Sequence, residues 1–147
     1  MANNTLTKVD WLAHRVRLKP IIDKIAASGE DPNYYKELDQ ACSSEWAFLF
    51  LAPDGFVILR PRHQNNLTYL ELLLVHATGN DSLKRYTPAL CALGRCINAD
   101  YLEFLTFRKG FNRVAHFAGW EHSGYYNQSV IWRYPLRKHE CRVDPEK

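Results

Sequence analysis

The hydrophobic positions of this chain change from helical spacing to strand-like runs and back again. Apolar residues recur every three or four positions over residues 10–29, which predicts either one helix kinked at Pro20 or two short helices that meet there. A second helix is predicted over residues 33–41. The chain therefore begins with helices, preceded only by a short strand predicted at residues 5–9.

Three apolar runs follow in close succession, at residues 46–52, 56–62 and 68–75. Pro53-Asp54-Gly55 separates the first two runs and is a tight-turn sequence, because proline presets φ and glycine accepts a positive φ. Apolar runs joined by turns this short predict antiparallel strands.

The third run is apolar at both odd and even positions, which is typical of a central strand covered on both faces. Regular alternation along it places Leu70, Leu72 and Leu74 on one face and the intervening residues on the other. Glu71 lies in the middle of the run. Its carboxylate is therefore either paired with a cation or functional.

Helical spacing returns after a polar loop at residues 76–82. One apolar stripe follows the predicted helix: Leu83, Tyr86, Leu90, Leu93 and Ile97. Pro88 leaves two interpretations open. Either the helix begins near Asp81 and kinks at Pro88, or Thr87 is the N-cap and Pro88 is the first helical residue.

The remaining pattern predicts a strand at residues 101–107, a short helix at 112–118 and a closing β-hairpin over 120–134. This order of elements predicts an α+β fold. Residues 1–135 form a single domain in this interpretation, and residues 136–147 form a charged, peripheral tail.

Composition narrows the classes of function. The 46% hydrophobic and 24% charged content is typical of a folded, water-soluble protein. A net charge of +3 without any dense lysine or arginine run gives no specific nucleic-acid signal, although it suits an anionic small ligand. We also expect no membrane span, because no apolar run approaches the length of about 18 residues that a span needs.

Metal and thiol chemistry are not expected either. The four cysteines are widely spaced without a C-x-x-C pair, and the six histidines show neither H-x-H nor H-x3-H spacing. The polar N-terminal segment contains no apolar signal sequence, so we expect reduced thiols and a cytoplasmic location.

Two segments, together with this order of elements, resemble features of a known protein family. The loop after the third run contains His76-Ala77-Thr78-Gly79-Asn80-Asp81-Ser82, and a later segment ends in Gly119-Trp120. With these segments in these places, residues 5–135 resemble the GNAT (Gcn5-related N-acetyltransferase) fold. The resemblance implies a mixed, mostly antiparallel central sheet flanked by helices on both faces. It also implies transfer of an acetyl group from acetyl-CoA to an amine whose identity the sequence does not give.

In the GNAT superfamily a loop of the form Q/R-x-x-G-x-G/A wraps the pyrophosphate of acetyl-CoA at a helix N-terminus. The resemblance assigns this cofactor-binding role to Val75, Ala77, Thr78, Gly79, Asn80, Ser82, Lys84 and Arg85. Gly79 matches the first glycine of the pattern. The leading Gln/Arg is absent, and Asp81 replaces the second small residue with a carboxylate close to the phosphates.

The resemblance also implies a catalytic set. Glu71 is the preferred base, because burial on a central strand makes a carboxylate a better proton acceptor, and Glu103 is the second candidate. His76 is either a base or ligand donor beside the loop, or a simple hydrogen-bonding residue. In the family, a tyrosine of the helix after the fifth strand protonates the departing thiolate. Ala115 has that place here, and His116 is the adjacent alternative.

Two hypotheses about function follow. The chain is an acetyl-CoA-dependent acyltransferase, or it keeps the fold without catalysis as a binding or structural protein, similar to small GNAT-like proteins that bacteriophages encode. The aromatic residues of the closing hairpin are either cross-strand pairs in the sheet or a surface for a protein partner: Trp120, Tyr125, Tyr126, Trp132 and Tyr134.

Overall fold

The computed structural model describes residues 4–29, 33–106, 109–126 and 129–136. These residues contain the following elements, in chain order: β1 (Thr7–Val9), α1 (Trp11–Gly29), α2 (Tyr34–Ser43), β2 (Phe48–Ala52), β3 (Gly55–Gln64), β4 (Leu67–Ala77), α3 (Ser82–Cys96), β5 (Tyr101–Thr106), α4 (Lys109–Phe117), β6 (Glu121–Tyr126) and β7 (Ser129–Pro135). None of the helices among these residues is long and apolar enough to cross a membrane.

The strands form one sheet in the order β1-β2-β3-β4-β5-β7-β6, so that β1 and β6 are its edges. Neighbouring strands are antiparallel except β4 and β5, which run parallel. This arrangement confirms the α+β fold and the mixed, mostly antiparallel central sheet expected from the sequence.

Helices cover both faces of the sheet, as predicted. Val57 of β3 packs with Leu83 of α3 in a cluster that also holds Ala115 of α4, which we call the α3 core. The next residue, Ile58, packs with Leu18 of α1 in a cluster that also holds α2 residues, which we call the α1 core. Because successive strand residues point to opposite faces, the two cores lie on opposite sides of the sheet.

Both proline-containing helices are continuous. α1 runs through Pro20, and α3 begins at Ser82 and runs through Pro88. The Thr87 hydroxyl donates to the Leu83 carbonyl at 2.6 Å and accepts a hydrogen bond from the Trp120 indole at 3.1 Å. Thr87 is thus a buried residue inside the helix. The interpretation in which it caps α3 is wrong, and the loop before α3 is short.

β4 contains a bulge at Leu73. Ile58 of β3 pairs with Leu74 and Leu59 pairs with Leu72, which leaves Leu73 as an extra residue on β4. As a result Leu72 belongs to the α3 core, whereas Leu74 belongs to the α1 core. The regular alternation predicted for this strand is therefore wrong beyond Leu72, because one extra residue exchanges the two faces.

The turn between β2 and β3 is at the predicted place, but its glycine is required for a different reason. Gly55 does not have a positive φ. It pairs with Ala77 at the end of β4, and a Cβ on Gly55 would clash with the carbonyl oxygen of His76 and lie 2.6 Å from the Ala77 Cα. The glycine therefore allows the start of β3 to lie directly against the end of β4.

Leu136 lies one residue beyond the predicted domain and is part of the α3 core. Its side chain is 6% exposed, and its backbone N–H donates to the Asp100 carbonyl at 2.9 Å. The rest of the predicted tail, residues 137–147, lies outside the described residues, as do residues 127–128, where a turn is predicted between the two strands of the hairpin.

Candidate active site

β4 and β5 pair over three residues, and their pairing then ends. Their register contains Tyr69↔Tyr101, Leu70↔Leu102 and Glu71↔Glu103. Beyond these pairs β4 continues to Ala77 and β5 continues to Thr106. The β4–β5 register contains no pairs beyond Glu71↔Glu103. We call the segments past this last pair, residues 72–77 and 104–106, the β4–β5 slot.

The Leu73 bulge lies on β4, two residues past its last pair with β5. Bulges change the direction of backbone groups and are frequent beside active sites. The Leu73 carbonyl accepts a hydrogen bond from the Tyr34 hydroxyl of α2 at 3.0 Å. A phenol is therefore placed at the bulge. The sequence did not reveal this contact, because the two residues are 39 positions apart.

Glu71 is paired, which is one of the two alternatives that its position in an apolar strand left open. Its Oε1 accepts hydrogen bonds from Arg60 Nε at 3.1 Å, from Arg60 Nη2 at 2.9 Å and from Arg62 Nη1 at 3.2 Å. The side chain is 15% exposed. Among the described residues none donates to Oε2, so this oxygen could take a proton from a ligand.

Glu103 stands beside Glu71 on β5 and has its own cation. Its Oε1 accepts a hydrogen bond from Arg133 Nε at 2.8 Å. The Arg133 guanidinium also lies over the ring of Tyr101 at 4.5 Å, and Tyr101 stacks on Tyr69 with ring centroids 4.9 Å apart. The two neighbouring carboxylates are thus paired with different arginines.

The loop between β4 and α3 is organised around Asp54 of the β2–β3 turn. The Thr78 N–H donates to the Asp54 carbonyl at 2.8 Å, and the Gly79 N–H donates to the Asp54 carboxylate at 2.9 Å. A Cβ on Gly79 would clash with that carboxylate and would lie 2.6 Å from Arg85 Nη2. A side chain at position 79 would therefore require the Asp54 carboxylate and the Arg85 guanidinium to move from these positions.

The Asp54 carboxylate also holds the beginning of α3. Arg85 Nη2 donates to Oδ2 at 2.8 Å, and the Tyr86 hydroxyl donates to Oδ1 at 2.5 Å. The bond from Tyr86, followed by that from Arg85, lowers the pKa of Asp54 from 3.8 to about 2. Asp54 is therefore ionised at neutral pH. We call the set Asp54, Gly79, Arg85 and Tyr86 the Asp54 clasp.

The structure brings the predicted cofactor-binding residues together at this loop and at the start of α3. Asn80 accepts a hydrogen bond from Arg85 Nε at its carbonyl, at 2.8 Å. Asp81 has φ 54° and stands at the N-cap without a side-chain capping bond. An aspartate is found at the second small-residue position because aspartate, like glycine, tolerates this left-handed conformation. Ser82 is half-buried, and Lys84 is exposed.

Val75, His76 and Ala77 line a cavity of about 20 Å³ between the end of β4 and α3. A volume of this size holds about one water molecule. The cavity is therefore too small for a cofactor. His76 also packs against Phe56, with ring centroids 5.6 Å apart, on the strand that pairs with β4.

Ala115 and His116 occupy different environments on α4. Ala115 is fully buried in the α3 core, whereas His116 is exposed. No contact recorded among the described residues joins His116 to Glu71 or to the loop. Glu71 and His76 therefore lie on β4, which the loop follows, whereas His116 lies on α4.

The hairpin aromatics divide into two groups. Trp120 and Trp132 are buried in the α3 core, where Trp120 also makes an edge-to-face contact with Phe104 at 4.9 Å. Tyr125 and Tyr126 are 70% and 63% exposed on the edge strand β6. Of the predicted aromatic set, these two tyrosines offer the most exposed area to a partner.

Metal and cysteine chemistry gain no support from the part of the chain that the structure describes. It contains no group of three or more histidine, cysteine or acidic side chains placed to hold a metal. Burial raises the pKa of Cys42 to about 12, so this thiol is protonated at neutral pH and is a poor nucleophile.

Comparison with solved structures agrees with this geometry. The fold is similar to a probable acetyltransferase, with a TM-score of 0.65 and 14% identity over 81% of this chain and 91% of that one. It is also similar to a GNAT-family acetyltransferase from Listeria monocytogenes, with a TM-score of 0.56 and 13% identity over 84% and 90% of the two chains. An aminoglycoside 6'-acetyltransferase type Ii gives a TM-score of 0.52 and 12% identity over 90% and 97%.

The fold of this chain is thus a divergent GNAT fold, as the sequence resemblance implied. Its sequence matches no protein-family model and no curated protein. Identities of 11 to 14% in structures of TM-score above 0.5 establish shared architecture and leave the chemistry to be argued from the site.

Proposed function

We propose that the protein transfers an acyl group from acetyl-CoA to an amine, with the thioester arm of the donor lying in the β4–β5 slot. The observation that carries this proposal is the end of β4–β5 pairing after Glu71 and Glu103, next to a bulge, in a fold shared with acetyltransferases. An extended arm would add to the sheet by hydrogen bonds to the backbone of β4 or β5 past the last β4–β5 pair.

The two ends of acetyl-CoA fit this site differently. We assign the extended, amide-containing arm to the slot, because the β4–β5 pairing ends there beside the Leu73 bulge. The loop before α3 suits the phosphates less well, because the Gly79 N–H and the Arg85 guanidinium already bind the Asp54 carboxylate. Thr78, Asn80, Ser82 and Lys84 remain the proposed residues of the loop and helix that would hold the phosphate end, with Val75 and Ala77 supporting the arm.

Bound acetyl-CoA supplies an acyl group that is already activated as a thioester. In the proposed mechanism Glu71 takes the proton of the amine at Oε2, while Arg60 and Arg62 hold its other oxygen in place. A backbone N–H at the Leu73 bulge stabilises charge on the acyl oxygen. His116 is the proposed donor to the departing thiolate, and His76 the proposed hydrogen-bonding residue beside the loop.

The first experiment measures binding and then turnover. Saturation with acetyl-CoA at 100 times its Kd should raise the free energy of unfolding by about 2.7 kcal/mol, seen as a thermal shift. Release of free CoA thiol is then followed with a panel of primary amines. Glu71→Gln should reduce turnover by about 100-fold or more while leaving acetyl-CoA affinity unchanged. Glu121→Gln, an exposed glutamate on β6, is the matched control and should keep full turnover.

Two results would contradict the proposal in different ways. Absence of any thermal shift at millimolar acetyl-CoA removes the acyltransferase function. Full turnover in Glu71→Gln keeps the function and removes Glu71 as the base.

A non-catalytic GNAT-fold binding protein is the second candidate. It is favoured by Ala115, which is buried where the family has its acid tyrosine and cannot donate a proton. Under this hypothesis CoA binding occurs without thiol release for any amine, and Glu71→Gln changes only stability.

A further inference from the structure

Asp54 places a permanent negative charge at the loop that the proposed function assigns to the donor phosphates. Its carboxylate accepts hydrogen bonds from the Gly79 N–H, from Arg85 and from Tyr86. A backbone amide at a loop, with an arginine beside it, is the kind of donor pair that binds phosphate oxygens. Here that pair is occupied by the protein's own anion.

The contacts around Asp54 form a continuous, built arrangement. The turn that carries Asp54 is held against β4 by the pairing of Gly55 with Ala77 and by the Thr78 N–H, which donates to the Asp54 carbonyl. Gly79 has no side chain to separate the carboxylate from Arg85. Gly79, which matches the family pattern, therefore allows the β2–β3 turn at Asp54 to contact Arg85 of α3.

This arrangement has an electrostatic consequence for a phosphate-bearing ligand. A phosphate that reaches the Gly79 N–H and Arg85 must displace the Asp54 carboxylate or lie beside it, and like charges at such distances repel. The uncharged arm of the donor meets no such obstacle, because the slot lies between β4 and β5.

We propose that Asp54 is a specificity-determining residue for the acyl donor, and that it moves recognition from the phosphates to the pantetheine arm. The protein then accepts pantetheine thioesters as a class, with or without a nucleotide. This inference rests on the proposed function, because it concerns the same slot and loop. Replacing the Asp54 charge releases Arg85 and the Gly79 N–H and restores a preference for the phosphorylated donor.

The experiment compares CoA with pantetheine, which share the thiol arm and differ in the phosphates and nucleotide. Calorimetry on the wild-type chain should give dissociation constants that agree within about threefold. Asp54→Asn should bind CoA about tenfold more tightly or better, with pantetheine unchanged. Asp54→Ser is a second neutral variant, in case the first folds poorly. Tyr86→Phe is the matched control, because it removes one hydrogen bond to Asp54 and keeps both the charge and Arg85.

The possible outcomes distinguish a failure of the Asp54 inference from a failure of the proposed acyltransferase function. Wild-type protein that binds CoA more than about threefold tighter than pantetheine overturns the inference and leaves the proposed function standing. Unchanged CoA affinity in folded Asp54→Asn or Asp54→Ser also overturns the inference and leaves the proposed function standing. If no variant binds either ligand, the proposed function fails and the inference fails with it.

Discussion

Asp54 is held ionised by a phenol, a guanidinium and a backbone amide. Its pKa of about 2 lies below its ordinary value of 3.8, so the folded chain binds the proton at this site more weakly than the unfolded chain does. The stabilisation from the Asp54 clasp is therefore complete above about pH 4 and is lost as the pH falls towards about 2.

Asp54→Asn should lower the free energy of unfolding at neutral pH by about 1–2 kcal/mol, because Tyr86 and Arg85 lose an ionised acceptor. The variant should also show a flatter loss of stability than the wild type between about pH 4 and about pH 2. Urea unfolding at a series of pH values measures both effects. Parallel acid limbs for the two proteins would mean that Asp54 does not contribute to acid unfolding. Glu121→Gln, which alters an exposed carboxylate, should leave the acid limb unchanged.

Individual residues were predictable from the sequence where the pattern is local. Glu71 was recognised as a carboxylate in an apolar strand, and its pairing with arginine was one of the stated alternatives. Gly79 was matched to the first glycine of the family pattern, but its contact with Asp54 and Arg85 was not predicted. Asp54 was not recognised as a partner of the loop, because only the register of β3 against β4 brings residues 54 and 79 together. Strand register is not visible in the local spacing of apolar residues.

At the level of elements, the β2–β3 turn and the end of β4 behave as one unit. Gly55→Ala should reduce the free energy of unfolding by about 1–3 kcal/mol or more, because the new Cβ meets the backbone of His76 and Ala77, which cannot move without breaking the pairing. Chemical unfolding measures the loss. Pro53→Ala in the same turn is exposed and should cost less than about 1 kcal/mol. Equal effects for the two substitutions would contradict the close approach.

The helices and strands, like the individual residues, were predictable from the sequence only where the pattern is local. The helices and strands follow from apolar spacing, and Pro88 fell inside a helix because Thr87 is buried against Trp120 rather than acting as a cap. The Leu73 bulge was hidden for a physical reason. In a run of apolar residues on both faces, one extra residue leaves the hydrophobic pattern unchanged, although it exchanges the faces of everything that follows.

At the scale of the whole molecule, the order of elements was enough to indicate the fold, because short antiparallel connections and one parallel crossover through α3 leave few arrangements. The β4–β5 slot was not derivable in the same way. It depends on where two parallel strands stop pairing, and strand register is not visible in the local spacing of apolar residues.

Leu136, the residue after β7, shows how far the folded domain extends along the chain. Leu136 is buried in the α3 core beside Leu102, and its N–H is bound to the Asp100 carbonyl, so the domain extends past residue 135. Leu136→Ala should lower the free energy of unfolding by about 2–4 kcal/mol, through lost burial and the cavity left behind. Val16→Ala, at a helix position that is 80% exposed, should change it by less than about 0.5 kcal/mol. Urea midpoints with equal slopes give both values. A Leu136→Ala midpoint equal to that of Val16→Ala would place Leu136 outside the cooperative unit, because removing a side chain from a packed core cannot be neutral unless that core does not unfold with the rest.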